Sequence, residues 1–144
     1  MNIRLALPSE SPILCDIDHA QTFSAHWKPA DWQAELAQPA AKVWCALVDD
    51  RLVGFVCVRG AADQYEITNV AVLPGYTRQG IGRALLSQVL DQLKQQGAAQ
   101  VTLEVSTANQ PARALYERCA FTTWGVRPKF YADGSDALLL GKRL

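Results

Sequence analysis

The stretch Pro74-Gly75-Tyr76-Thr77-Arg78-Gln79-Gly80-Ile81-Gly82-Arg83-Ala84 constrains this chain more than any other. It joins an apolar run from Glu66 to Leu73, which reads as a strand, to a long amphipathic segment. In that segment Ile81, Leu85, Leu86, Val89, Leu90 and Leu93 recur at helical spacing and form one stripe. The pattern predicts a helix from about Gln79 to Gln96, stopped by Gly97. Gly80 and Gly82 take side chains away from its start, so a ligand can reach the backbone. The first N–H groups of a helix have no internal partner, and with the dipole they make an anion site. Arg78 and Arg83 place charged donors beside it. Two glycines in a turn also suit a purely structural turn. A P-loop is excluded, because no G-K-[ST] follows, and a Rossmann fingerprint lacks its third glycine. What remains is a pyrophosphate cradle of another type.

A local device of this kind matters because the chain has no global field. Lys plus Arg is 14 and Asp plus Glu is 14, for a formal net charge of zero. Nucleic acid and anionic membrane are therefore not expected partners. With 144 residues, 49% apolar and 19% charged, the composition is that of one globular domain spanning 1–144 and excludes disorder. No window reaches the roughly 18 apolar residues of a membrane span. The start, Met1 to Pro8, is soon broken and does not read as a secretory signal, so a cytoplasmic location is expected. Cys15, Cys45, Cys57 and Cys119 are scattered, and only His19 and His26 could join them. No metal site is expected, and the cysteines read as packed, reduced thiols.

The remaining elements follow from periodicity and punctuation. Asn2 to Leu7 alternates as a strand, with Ile3, Leu5 and Leu7 on one face. Pro8 to Pro12 opens a helix to about Ala20. Residues 22–28 read as a loop, and Pro29 begins a second helix. Val43 to Val48 and Leu52 to Arg59 form a hairpin around Asp49-Asp50-Arg51. Gln100 to Val105 is a strand with Val101, Leu103 and Val105 on one face. Asn109 caps a further helix, whose first turn tolerates Pro111. Phe121 to Val126 and Ala137 to Leu140 close the chain as strands around an Asp133-Gly134 turn. Hairpins early and helical crossovers late predict an α/β fold: a mixed, mostly antiparallel sheet with helices on both faces.

Arg78-Gln79-Gly80-Ile81-Gly82-Arg83-Ala84 resembles the [RQ]-x-x-G-x-[GA] motif of the GCN5-related N-acetyltransferases. Asn69-Val70-Ala71-Val72, Leu103-Glu104-Val105, Asn109 and Ala114-Leu115-Tyr116-Glu117 fit as well. Together they are most similar to the branch of ribosomal-protein alanine N-acetyltransferases. The likeness is strong over Glu66 to Phe121, recurs at Phe130-Tyr131-Ala132-Asp133-Gly134, and is thin before residue 40. It implies acetyl-CoA as cosubstrate, with no metal. Arg78, Gln79, Gly80, Ile81, Gly82 and Arg83 would then hold the pyrophosphate. Val70, Ala71 and Val72 would present backbone groups to the pantetheine arm and the acetyl carbonyl. Their strand would splay from the Val101–Val105 strand, and the Val72 N–H would serve the oxyanion. Asn109 would touch the cofactor, in addition to capping its helix.

Acyl transfer to an amine needs a base for the amine, a donor for the oxyanion and a proton for the leaving thiolate. Glu104 lies on the strand face opposite Val101, Leu103 and Val105. A glutamate near a strand end is commonly just exposed. In a sheet covered on both faces it needs a reason, and the resemblance gives the same position as base. A free α-amine has a pKa of about 8, so a modest base suffices, directly or through a water. Tyr116 falls two helical turns after Asn109 on one face. The resemblance gives it as the acid, against the plain alternative of an aromatic packed on the sheet. Phe130 and Tyr131 would line the acceptor slot, with strand packing as the alternative. Trp27 and Trp32 would wall its other side, and His26 reads as a surface residue. Ala120 stands where relatives commonly have glycine. A left-handed cap with a β-carbon costs roughly 1–2 kcal/mol, so this helix end is expected to close differently.

The resulting expectation is an N-acetyltransferase acting on a protein N-terminal α-amine. Its partner would be the N-terminal alanine of ribosomal small-subunit protein eighteen, whose amine attacks the thioester directly in a ternary complex, and the enzyme a monomer or weak dimer. A GNAT enzyme for a small-molecule amine or amino acid is the first alternative. A non-catalytic acyl-CoA-binding module is the second, disfavoured because both the base and the acid positions are kept.

Overall fold

The computed structural model describes residues 1–144. Seven strands form one sheet in the order β1-β2-β3-β4-β5-β7-β6. They are β1 (Asn2–Leu5), β2 (Ala41–Val48), β3 (Arg51–Ala61), β4 (Gln64–Val72), β5 (Gln100–Ser106), β6 (Thr122–Arg127) and β7 (Ala137–Arg143). All neighbours are antiparallel except β4 and β5. The helices are α1 (Ser11–His19), α2 (Pro29–Ala37), α3 (Ile81–Gln95) and α4 (Gln110–Arg118). The predicted β2–β3 hairpin turns through Asp49 and Asp50, both left-handed with φ of 49° and 63°. That is the geometry whose twist matches two flanking strands.

Each face of the sheet carries its own core. The α3 stripe, Ile81, Leu85, Leu86, Val89, Leu90 and Leu93, packs with Val56, Val101, Leu103, Val105 and Tyr116 of α4. On the other face α1 and α2 bring Leu14, Ile17 and Trp32 onto Val43, Phe55, Cys57 and Ala71. These two helices pack chiefly on β2, β3 and β4 and make at most slight contact with β5, β7 and β6, where Trp124 covers Gly141 instead. The apolar face expected for Ile3, Leu5 and Leu7 does not form. The strand ends at Leu5, and Leu5 and Leu7 are 44% and 52% exposed. An edge strand this short has only one neighbour to pack against.

A β-bulge decides the centre of the fold. In β4, Asn69 faces Cys57 and Ile67 faces Val58, which leaves Thr68 without a partner. One extra residue reverses the alternation of side chains. Ile67, Val70 and Val72 therefore share the α3 side, and Ala71 points to α1 and α2. Pairing of β4 with β5 is limited to Gln64–Glu66 against Gln100–Thr102, just before the bulge. Beyond it the two strands part, giving the expected splay.

The end of α4 corrects an expectation. Ala120 is left-handed, with φ 67°, so the helix closes in the usual way despite the β-carbon. The Phe121 N–H donates to the Tyr116 carbonyl at 3.0 Å, and the Ala120 N–H to Glu117 at 3.0 Å, the Schellman pattern. Lys142 Nζ adds a bond to the Cys119 carbonyl at 2.8 Å. Phe121 is buried against the Tyr116 ring, so burial holds the strained cap in place. Ala120→Gly should relieve it. We expect a gain of about 1 kcal/mol and a rise of roughly 2–4 °C in Tm, read by thermal melting.

Candidate active site at the splayed strands

The approach to α3 is a row of free donors. Every backbone N–H from Thr77 to Arg83 lacks a protein acceptor, and the first helical bond is Ala84 N–H to Gly80 carbonyl at 3.0 Å. No side chain caps the helix. Gly80 has φ 78° and Arg78 φ 62°, which turn successive amides toward one side. A β-carbon on Gly82 would meet only Leu115 at 3.4 Å and Val72 at 3.9 Å, both ordinary contacts. Internal packing therefore does not demand glycine there, whereas a close ligand would. Arg78 and Arg83 are exposed and form no ion pair within the chain. Free amides, two unpaired guanidiniums and a bare helix start suit a diphosphate.

The free edge of β4 follows from its register. Leu73 N–H donates to the Val53 carbonyl at 2.8 Å, so Leu73 and Val53 are a hydrogen-bonded pair. Alternation makes Ala71 and Phe55 the next such pair. The N–H and C=O of Val70 and Val72 then point away from β3, into the splay. Within the set Val70, Ala71 and Val72, the Ala71 backbone faces β3. The Val72 carbonyl accepts from Gln21 Nε2.

Glu104 and Tyr116 flank the splay from opposite faces. Glu104 stands on the face of β5 turned away from α3, its side chain 25% exposed. Neither α1 nor α2 makes more than slight contact with β5, which leaves the carboxylate partly accessible. Arg127 Nη2 lies 3.1 Å from its Oε1, and the same guanidinium sits 5.3 Å from the Phe130 ring centre. Phe130 and Tyr131 meet edge to face at 5.2 Å, in the β6–β7 loop and not in a strand. Tyr131 has its pKa raised, mainly by burial and then by the Glu104 and Asp133 carboxylates. The loop and the Glu104 carboxylate thus share one corner. Tyr116 is buried in the α3 core, with its ring 5.7 Å from Phe121. Burial pushes its hydroxyl well above the usual phenol value, so it stays protonated through neutral pH. Its hydroxyl has no protein partner and is not sealed off. Asn109 does cap α4, its Oδ1 accepting from the Ala112 N–H at 3.3 Å.

Two early aromatics behave differently from each other. Trp32 is fully buried, T-shaped on Phe55, and walls no slot. Trp27 is half-buried beside it, and His26 is exposed and stacked on His19 at 5.4 Å. Cys45, Cys57 and Cys119 are buried and Cys15 is partly so, all as free thiols. Burial raises the Cys119 thiol, with Lys142 and Arg83 opposing. No three His, Cys, Asp or Glu side chains converge to hold a metal. No helix is long and apolar enough to cross a membrane.

The profile of the acetyltransferase (GNAT) family matches residues 13–121. The chain belongs to the GNAT family. It is an N-acetyltransferase, and its acetyl donor is acetyl-CoA. A ribosomal protein bS18-alanine N-acetyltransferase of Escherichia coli (strain K12) is 38% identical over 93 residues, 62% of this chain and 63% of that one. An N-alpha-acetyltransferase of Sulfurisphaera tokodaii is 30% identical over 154 aligned positions, 98% of this chain and 83% of the relative. The crystal structure of the ribosomal-protein-S18-alanine N-acetyltransferase from Escherichia coli superposes with a TM-score of 0.90 at 26% identity, covering 99% and 92% of the two chains. In this chain the free amides before α3, the splay, Glu104 and Tyr116 thus occur together on a GNAT fold. Three parts of this GNAT site left no mark in the sequence: the Thr68 bulge, the Arg127–Glu104 pair and the Gln21 bond to Val72. All depend on partners far along the chain.

Proposed function

We propose that this acetyltransferase acts on the free α-amine of a protein N-terminus, with a ribosomal protein of the bS18 type as acceptor. The observation that carries the proposal is the placement of Glu104, Tyr116, the Val70 backbone and the free Val72 N–H around one splay. The bS18-alanine and N-alpha activities of the similar proteins support the acceptor class.

When bound, acetyl-CoA supplies the acetyl thioester. The amides of residues 78–83 hold its diphosphate with Arg78 and Arg83, and Val70 aligns its arm. The Val72 N–H holds the carbonyl oxygen. Glu104 takes the proton from the amine, directly or through one water. Tyr116 gives its proton to the departing sulfur. Phe130 and Tyr131 flank the amine beside the partly exposed Glu104 carboxylate.

Peptides with free and with blocked N-termini decide the acceptor. We expect acetylation of the free N-terminal amine, located by fragmentation mass spectrometry, at a kcat/KM about a hundredfold above that of any lysine in a blocked peptide. Equal turnover of both peptides, with acetyl on lysine, would overturn the assignment. Faster turnover of small amines than of any peptide would move it to that acceptor class.

A further inference from the structure

An anion at the C-terminal end of a helix is disfavoured by the helix dipole, and burial makes it worse. Asp18 occupies such a place, in the last turn of α1 and 0% exposed. No cation pairs with it. Its carboxylate is satisfied by three neutral donors instead. The His26 N–H lies 2.9 Å from Oδ1, the Trp27 N–H 2.8 Å from Oδ2, and the Trp32 indole N–H 3.1 Å from Oδ2. The Asp18 carbonyl also takes the Ser24 hydroxyl at 2.5 Å. Residues 21–28 are thereby folded down onto one buried side chain.

The opposite side of the same loop reaches the open edge of β4. Ala25 N–H donates to Asn69 Oδ1 at 3.1 Å, and Gln21 Nε2 to the Val72 carbonyl. Asn69 is itself buried, and its Nδ2 has no partner, so its one anchored contact is to this loop. Asp18 and β4 thus grip residues 21–28 from two sides, next to the Val72 group that faces the splay.

We propose that Asp18 is a positioning residue for the acceptor: it fixes residues 21–28 against β4, where the loop walls the acceptor seat opposite Phe130 and Tyr131. This rests on acyl transfer at the splay, as read above. Asp18 reaches neither amine nor cosubstrate and acts only through the loop. An aspartate is required because all three facing groups are donors. An asparagine would turn its own NH2 against at least one of them.

The test is steady-state kinetics with whichever amine the unaltered protein acetylates. Asp18→Asn should raise the acceptor KM about tenfold or more, with kcat and the acetyl-CoA KM within about twofold. Ser24→Ala, which removes a single link, should raise the acceptor KM about threefold with the same split. A merely structural role would lower kcat through loss of folded protein and leave both KM values alone. That result, or an equal rise in the acetyl-CoA KM, would overturn the proposal. If Asp18→Asn does not fold, Ser24→Ala decides by the same criterion. The α-amine reading fails separately, in the unaltered protein, if free N-termini are not preferred. The loop claim is then measured on the small amine.

Discussion

Gly82→Glu is expected to abolish acetyl-CoA binding while the protein stays folded. The position has room for a β-carbon inside the chain, lies on the first turn of α3 and has no positive φ. The folded state should therefore lose little. The ligand loses much more. A carboxylate would stand among the free amides of Thr77 to Arg83, satisfying them in place of a diphosphate and repelling its charge. Each charge-assisted bond lost is worth roughly 1.5–3 kcal/mol, so two suffice for about a thousandfold weaker binding. Calorimetric titration with acetyl-CoA, beside a melting curve, checks both halves. Binding within about tenfold of the unaltered protein would remove the cradle from α3.

Glu104→Gln is expected to separate chemistry from binding. The amide keeps the shape of the side chain but cannot take a proton. Loss of a general base costs about two to four orders in kcat. The acetyl-CoA KM should hold within about twofold, because the cradle lies at the start of α3 and Glu104 on the far face of β5. The Arg127 partner at 3.1 Å is left unpaired, but it is 62% exposed and water can satisfy it, so stability should change by less than about 1 kcal/mol. Single-turnover kinetics with acetyl-CoA preloaded reads the chemical step alone. A fall of less than about fivefold would take the base role from Glu104.

Much of the fold was legible because periodicity is local. The α3 stripe, the Asp49-Asp50 hairpin turn and the Asn109 cap are each determined within one or two turns of chain, and each formed where expected. Expectations failed where a distant neighbour sets the outcome. Leu5 and Leu7 alternate correctly but have no surface to cover. Trp32 has the look of a slot wall, yet Phe55 and the Asp18 carboxylate draw it into the core. Ala120 carries the local penalty for a left-handed cap, and burial of Phe121 outweighs it.

The sequence alone marked the candidate cradle, since glycine spacing, a helix start and two arginines act within a dozen consecutive residues. Tertiary structure alone decided how the candidate site is arranged. An unpaired Thr68 turns Val70 and Val72 toward the splay, and α1 and α2 make at most slight contact with β5 and leave Glu104 reachable. Residues 21–28 are held between Asp18 of α1 on one side and Asn69 of β4 on the other. Backbone donors and acceptors look alike in any sequence. Which of them stay unspent depends on strand register, and register is a property of pairs.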